Sequence, residues 1–157
     1  MTGMTIYKTA ETDQEFEQAK ELFAEYANSL DIDLSFQNFS KELESIRQQY
    51  DRPTGALLLV YKDDLLAGCT GIRRLDDETA ELKRMYVRPD FRGFNFGRSL
   101  LESAILSASR LGYKKIRLDT LSSMTKARNL YESFGFQAIE PYYFNPIQET
   151  IYMERVI

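Results

Sequence analysis

The sequence predicts one domain, 1–157, of mixed α/β (α+β) class, with a sheet that is mostly antiparallel in its first half. Three observations carry this. Segments with the two-residue period of strands alternate with segments of helical period. Three strand-like segments between 56 and 87 follow one another across short acidic turns, the pattern of an antiparallel meander. The chain has 157 residues, the length of one domain with one core, and no repeat, low-complexity stretch or linker divides it.

Taken in order, "TIYKTA" (5–10) is a short strand. "TDQE" (12–15) is a capping box, Thr12 with Glu15 three residues on, and opens a helix. Phe16, Ala19, Leu22, Phe23, Tyr26, Ala27 and Leu30 follow at helical spacing. Phe36, Phe39, Leu43 and Ile46 share one face of a second helix, from Phe36 to about Arg47. Pro53 and Gly55 break the pattern. The meander comes next: "ALLLVYK" up to Asp63-Asp64, "LLAGCTGIRRL" up to Asp76-Asp77, then "TAELKRMYV", which Pro89 ends. A helix begins near Phe94, buries Leu100, Leu101, Ala104, Ile105, Ala108 and Leu111, and is capped by Gly112. "KKIRLDT" (114–120) is a strand, "TKARNLYESF" (125–134) a helix stopped by Gly135, and 136–140 and 149–156 are the last two strands. The order is β-α-α-β-β-β-α-β-α-β-β.

Composition narrows the chemistry. Apolar residues make up 43% and charged residues 28%, and ten Phe with ten Tyr supply enough bulk for a core without staples. The absence of histidine removes Ser-His-Asp and Cys-His catalysis and His-based zinc sites, so any acid or base is Asp, Glu, Tyr, Lys or Cys. The single cysteine, Cys69, lies in a strand beside Gly68 and Gly71; it reads as a buried, inert thiol, with no disulfide or metal partner. No metal is expected. One thiol and no secretion signal fit a reducing, cytoplasmic setting. No apolar run approaches the ~20 residues that span a bilayer, so no membrane partner is expected. Net charge is −4, divided unevenly: residues 1–51 carry 11 acidic and 4 basic side chains, residues 52–157 carry 13 and 16. That balance speaks against nucleic-acid binding but suits a small anion in the second part.

The stretch "FRGFNFGRSLL" (91–101) has the makings of such an anion site. A strand, a basic glycine loop and a helix N-terminus bring free N–H groups and the positive end of the helix dipole together. Gly93 and Gly97 allow close approach, Arg92 and Arg98 add charge, and Ser99 adds a hydroxyl. No Gly-Lys-Ser/Thr follows, so it is no Walker loop, and there is no G-x-G-x-x-G in a βαβ unit. Asn95 stands where a second glycine is common; Asn tolerates a left-handed backbone and so keeps the loop's shape. Read alone, the stretch is equally a plain loop before an amphipathic helix.

With its neighbours it resembles more. "LKRMYVRPDFRGFNFGRSLL" (82–101) is similar to the acetyl-CoA segment of the GNAT N-acetyltransferases, Q/R-x-x-G-x-G/A, and "ARNLYESFGF" (127–136) to their A-x-x-L-Y-x-x-x-G-F segment. One strand separates the two, as in that family, and the element order agrees over essentially the whole chain. The sequence departs at Asn95 and at Met124, where the last helix often begins with Asn. The resemblance implies the GNAT fold, in which two neighbouring parallel strands, 79–87 and 114–120, splay apart and hold acetyl-CoA as co-substrate. It implies that the loop 92–97, with Phe94 and Phe96, gives N–H groups to the pyrophosphate, and that the backbone of Met85, Tyr86 and Val87 pairs with the pantetheine. Arg92 and Arg98, and less pointedly Lys126 and Arg128, are the cations for the CoA phosphates.

The same resemblance implies that Tyr131 points its hydroxyl at the CoA sulfur and protonates the leaving thiolate. Glu81 stands where some members place a general base; alternatively "ELKR" is a charged strand pair in which Glu81 and Lys83 share a face. A backbone N–H near Met85 or Tyr86, where the strand should bulge, is the oxyanion partner. The expected function is acetyl-CoA-dependent transfer to the amine of a small molecule by direct attack on the thioester. A non-catalytic acyl-CoA sensor and a peptide or protein N-acetyltransferase are the alternatives. On the acceptor side, "PYYFNP" (141–146) is a stiff aromatic loop that either walls the amine pocket or covers a core edge, with Tyr143 and Asn145 as substrate contacts. A homodimer is left open.

Overall fold

The computed structural model of the chain describes residues 3–30, 39–143, 145 and 149–157. The elements run β1 (Thr5–Thr9), α1 (Asp13–Ser29), α2 (Phe39–Glu44), α3 (Ile46–Tyr50), β2 (Ala56–Lys62), β3 (Leu65–Arg74), β4 (Thr79–Val87), a 3-10 turn (Pro89–Phe91), α4 (Phe96–Arg110), β5 (Lys115–Leu121), α5 (Thr125–Ser133), β6 (Gln137–Ile139) and β7 (Thr150–Val156). The strands form one seven-stranded sheet in the order β1-β2-β3-β4-β5-β7-β6. Neighbours are antiparallel except β4 and β5, which are parallel. The mixed, mostly antiparallel class expected from the sequence is the one found.

Helix α1 starts where its capping box says. The Glu15 amide donates to Thr12 Oγ1 at 3.1 Å, and Glu15 Oε1 accepts the Thr12 amide at 2.9 Å. Phe16, Ala19, Leu22 and Phe23 are its buried stripe. The single second helix expected from Phe36 to about Arg47 is instead two short ones, α2 and α3. They part at Ser45, which leaves helical geometry (φ −111°, ψ 27°) as its hydroxyl donates to the Lys41 carbonyl at 2.6 Å. A serine that bonds back to its own helix bends it. Phe36 lies outside the described residues.

"ALLLVYK" has no polar alternation because β2 is buried on both faces. Leu58 and Val60 join one core with Ile72, Ala80, Leu82, Ile116 and Leu118, under α4 and α5. Leu57 and Leu59 join a second core with Cys69 and Tyr86, under α1 and α3. Each large side chain so buried contributes about 1.5–3 kcal/mol. On the α3 side, Tyr50 is wholly buried across β3. A Cβ on Gly71 would lie 2.6 Å from its ring, so only glycine lets that ring approach.

One feature of the sheet positions the cleft. The parallel pairing of β4 and β5 begins at Thr79↔Lys115 and ends at Glu81↔Arg117, although β4 continues to Val87 and β5 to Leu121. Beyond Glu81 the two strands diverge. Among the described residues, no helix is long and apolar enough to cross a membrane.

Candidate active site

The divergence leaves a V-shaped cleft of about 80 Å³. Leu82 and Leu118 line it from the α4 side, and Lys83, Asp119 and Tyr26 from the α1 side, so it reaches through the sheet. Tyr131, from α5, and Met85 complete its walls. Beside the cleft β4 bulges. Cys69 pairs with Tyr86 and Gly71 with Lys83, which sets Arg84 and Met85 against Thr70 alone. Arg84 takes up the extra residue with a left-handed backbone, φ 59°. The bulge expected near Met85 or Tyr86 therefore sits at Arg84 and Met85, and the β4 edge from Leu82 onward has no β5 partner.

Past the end of β4, the chain turns through Pro89–Phe91 into the loop before α4. Gly93 (φ 97°) and Asn95 (φ 61°) are both left-handed. Asn95 is the N-cap of α4 by its backbone, which is why the helix starts at Phe96 and not near Phe94. The first helical bond is Ser99 N–H to the Asn95 carbonyl, 3.1 Å, so the N–H groups of Phe96, Gly97 and Arg98 have no acceptor within the helix. This is an anion cradle in geometry: free donors, a helix dipole and two left-handed residues that open the loop. Arg92 lies beside it, its Nε donating to the Val87 carbonyl at 3.2 Å. The Arg98 guanidinium stacks 4.9 Å from the centre of the Phe134 ring, tying α4 to α5. Phe94 and Phe96 stack at 5.6 Å, with the Lys62 ammonium 4.5 Å from the Phe94 centroid. On α5, Lys126 is exposed, whereas Arg128 donates to the Ser122 carbonyl at 2.9 Å and so braces the β5–α5 connection.

On the α1 face, three carboxylates and three cations gather where the strands part. Glu42 is 2% exposed and accepts Arg84 Nε at 3.1 Å, Arg84 Nη2 at 2.9 Å and the Tyr50 hydroxyl at 2.9 Å. Burial alone would raise its carboxyl, but the Arg84 guanidinium holds it below the usual range. Glu81 is 3% exposed; Arg73 Nε meets its Oε1 at 3.0 Å and the Tyr142 hydroxyl its Oε2 at 2.8 Å. Burial, then the Glu81 charge, push the Tyr142 hydroxyl well up. The third pair is loose: Lys83 Nζ is 3.9 Å from Asp119 Oδ1, and Asp119 Oδ2 is buried with no hydrogen-bond partner. Burial raises the Asp119 carboxyl and lowers the Lys83 ammonium, each opposed by the other's charge.

The residues expected from the sequence separate into groups. Tyr131 lines the cleft, packed edge-on to Phe136 at 5.9 Å, and burial lifts its hydroxyl well above the usual phenol range, so it is protonated at neutral pH. Glu81, expected as a base, is not among the cleft-lining residues; both its oxygens are held, by Arg73 from β3 and by Tyr142, rather than by the Lys83 of "ELKR". The 141–143 turn packs over the same face. The rings of Tyr142, Tyr143 and Tyr152 meet edge to face at 5.3–5.4 Å, and the Lys83 ammonium lies 6.0 Å from the Tyr143 ring. The Tyr143 hydroxyl is buried without a partner, and Asn145 bonds the Tyr152 hydroxyl. Cys69 is fully buried, and burial pushes its thiol far up, as an inert thiol requires. The sequence reading missed Asp119, Lys83, Arg84 and Glu42. Asp119 alone carried a signal: an acid two residues from Arg117 lies on the same strand face as Arg117, opposite the face of Ile116 and Leu118. Among the described residues, no group of three or more His, Cys, Asp and Glu is placed to hold a metal.

Comparison with known proteins agrees with this geometry. A model of the acetyltransferase (GNAT) family matches residues 15–136. An uncharacterized N-acetyltransferase of Schizosaccharomyces pombe is 38% identical over 143 residues, covering 89% of this chain and 87% of that one. Among solved structures, an acetyltransferase from Streptococcus agalactiae superposes with a TM-score of 0.79 at 24% identity, covering 98% of both chains. A GNAT family acetyltransferase from Elizabethkingia anophelis, solved with acetyl-CoA bound, has the same fold, with a TM-score of 0.64 at 22% identity and 98% coverage of both chains.

Proposed function

Because the chain belongs to the GNAT acetyltransferase family, and is with it an acetyl-CoA-dependent N-acetyltransferase, we propose that its acceptor is the amine of a small molecule, which attacks the thioester directly. The observation that carries this reading is the cleft between β4 and β5, lined from both faces of the sheet. A donor entering from one face and an acceptor from the other meet there, with no covalent enzyme intermediate needed. Acetyl-CoA supplies the activated acetyl group when bound.

The residues present fit that co-substrate. The free N–H groups at Phe96, Gly97 and Arg98, opened by Gly93 and Asn95 and flanked by Phe94 and Ser99, suit a pyrophosphate, and Arg92 and Arg98 suit the outer phosphates. The unpaired β4 edge at Met85, Tyr86 and Val87 suits the amides of a pantetheine arm. Lys126 is free to reach a phosphate from the solvent side, whereas Arg128 reads as a loop brace. The bulge at Arg84 and Met85 interrupts regular pairing beside the cleft, and a backbone N–H there suits the charge that develops on a carbonyl oxygen. Tyr131 gives its proton to the departing thiolate. Glu81 acts as a positioning residue, and Tyr143 and Asn145 belong to the wall of the acceptor pocket.

The covering 141–143 turn favours a small acceptor over a protein tail, because it closes the α1 face beside Glu81. The decisive assay follows free CoA thiol with acetyl-CoA and panels of amino acids, polyamines, aminoglycosides and peptides. Release with one or more small amines, and none with peptides, is expected. Release with peptides only would overturn the small-molecule reading, and tight acetyl-CoA binding with no release for any amine would turn the protein into a sensor.

A further inference from the structure

Resting on the acetyl-transfer reading above, we propose that the chain carries an acceptor of its own: when no external amine fills the cleft, the protein acetylates its Lys83, and Asp119 takes the proton. Lys83 Nζ lies 3.9 Å from Asp119 Oδ1, and both residues line the cleft with Tyr131. An amine, a carboxylate and a phenol are the nucleophile, the base and the acid that acyl transfer to nitrogen uses. Lys83 is the one amine among the described lining residues. Arg84 lines the cleft too, but a guanidinium keeps its proton and is no nucleophile.

Burial sets Lys83 apart from the other lysines. Its side chain is 3% exposed, and among the described residues it is the one buried lysine. Burial lowers its ammonium, against the opposing pull of the Asp119 and Glu81 carboxylates. A lowered ammonium gives up its proton more readily and leaves a reactive amine. Asp119 is suited to receive that proton. Its Oδ2 is buried with no hydrogen-bond partner among the described residues, a position where the neutral acid costs less than the carboxylate, and burial raises its carboxyl.

The reaction also conserves charge balance. One Nζ proton passes to Asp119 once side-chain rotation shortens the gap by about 1 Å, to hydrogen-bond length. The freed nitrogen pair forms the bond to the acetyl carbon, and the carbon–sulfur pair departs with sulfur. Tyr131 protonates the sulfur and is restored by the second Nζ proton; the third stays on the amide. An ammonium, a carboxylate and a thioester become an amide, a carboxylic acid and a thiol. The ion pair is consumed whole, so no lone charge remains buried in its place. The neighbouring anions keep their own partners: Glu42 holds Arg84, and Glu81 holds Arg73 and Tyr142. The new acetyl group then sits on the α1 side of a cleft of about 80 Å³, where an external acceptor belongs, and shuts it. Lys83 is thus a brake, set when acceptor is scarce and acetyl-CoA is not.

The first arm of the test needs no variant. The protein is incubated with acetyl-CoA alone, its intact mass is followed, and the acetylated peptides are mapped. One acetyl group per chain is expected, on Lys83, added about tenfold or more faster than on any other lysine. Uncatalysed acylation runs in the opposite order, because exposed amines react first, and urea-unfolded protein should show no preference for Lys83. Asp119→Asn is expected to slow Lys83 acetylation about 100-fold, with acetyl-CoA binding by calorimetry intact, which also reports a folded variant. An amine accepted by the enzyme should protect Lys83, and the acetylated chain should no longer release thiol with that amine. Acetyl groups confined to exposed lysines, in a protein that releases thiol with an added amine, overturn this proposal alone. So does Lys83 acetylation that Asp119→Asn leaves unchanged. No acetylation of Lys83 together with no thiol release for any amine overturns the acetyl-transfer reading along with it.

Discussion

At the scale of single residues, the site is built from groups that burial would penalise were they alone. Glu42 shows it most clearly: three hydrogen bonds from Arg84 and Tyr50 compensate a carboxylate that is 2% exposed. Glu42→Gln leaves the Arg84 guanidinium buried without its anion, and urea unfolding should show a loss of about 3–5 kcal/mol. Tyr131→Phe keeps the ring and removes the proton; kcat should fall about tenfold or more, with acetyl-CoA affinity unchanged by calorimetry. Tyr131 could be found in the sequence because its neighbours form a contiguous pattern, "ARNLYESFGF". Glu42, Arg73 and Arg84 could not, because strand pairing and a helix packed on the sheet bring them together from positions up to 42 apart (Glu42 to Arg84).

At the scale of elements, local chemistry was largely legible and long-range chemistry was not. The capping box at Thr12 and Glu15, the glycine stops at Gly112 and Gly135 and the meander turns all act within a few residues, and all are present. The break at Ser45 was missed because a helical stripe of Phe39, Leu43 and Ile46 runs straight across it. Thr12→Ala removes the cap on α1 and should cost about 1 kcal/mol in thermal or urea unfolding. The α4 loop offers a sharper test. Asn95 has φ 61°, so Asn95→Gly should leave acetyl-CoA affinity within about twofold, since glycine adopts that backbone freely. Asn95→Val forces a β-branched residue into the left-handed region, at about 1–2 kcal/mol, and should weaken binding about tenfold in the same titration.

At the scale of the whole molecule, acid should loosen the α1 side first. Glu15 is held down to about pKa 2: burial raises its carboxyl, but the bond from Lys8 and the amides of Thr12 and Glu11 lower it more. A depressed carboxyl contributes stability that is complete above its unfolded value and is lost as pH falls through the folded one. Glu42 behaves the same way. Stability followed by circular dichroism should therefore be flat from neutral pH to about 5 and decline steadily from there toward 2; a Glu15→Gln variant should show a shallower decline.

Cross-strand pairing aligns Arg73, Glu81, Arg117 and Glu154 in a single file over β3, β4, β5 and β7. The signs alternate, and the outer two contacts close at 3.0 and 2.7 Å. A sheet can misalign by odd or by even steps. An odd step turns every apolar side chain to the wrong face, and the cores forbid it. An even step keeps the faces, so the cores are blind to it. Moving β4 two residues along β5 in one direction would set Glu81 opposite Asp119, acid against acid; moving β7 likewise would do the same to Asp119 and Glu154. The file of charges thus opposes slippage in that direction and favours the observed alignment. That alignment is also the one that fixes where β4 and β5 part, and so where the cleft opens.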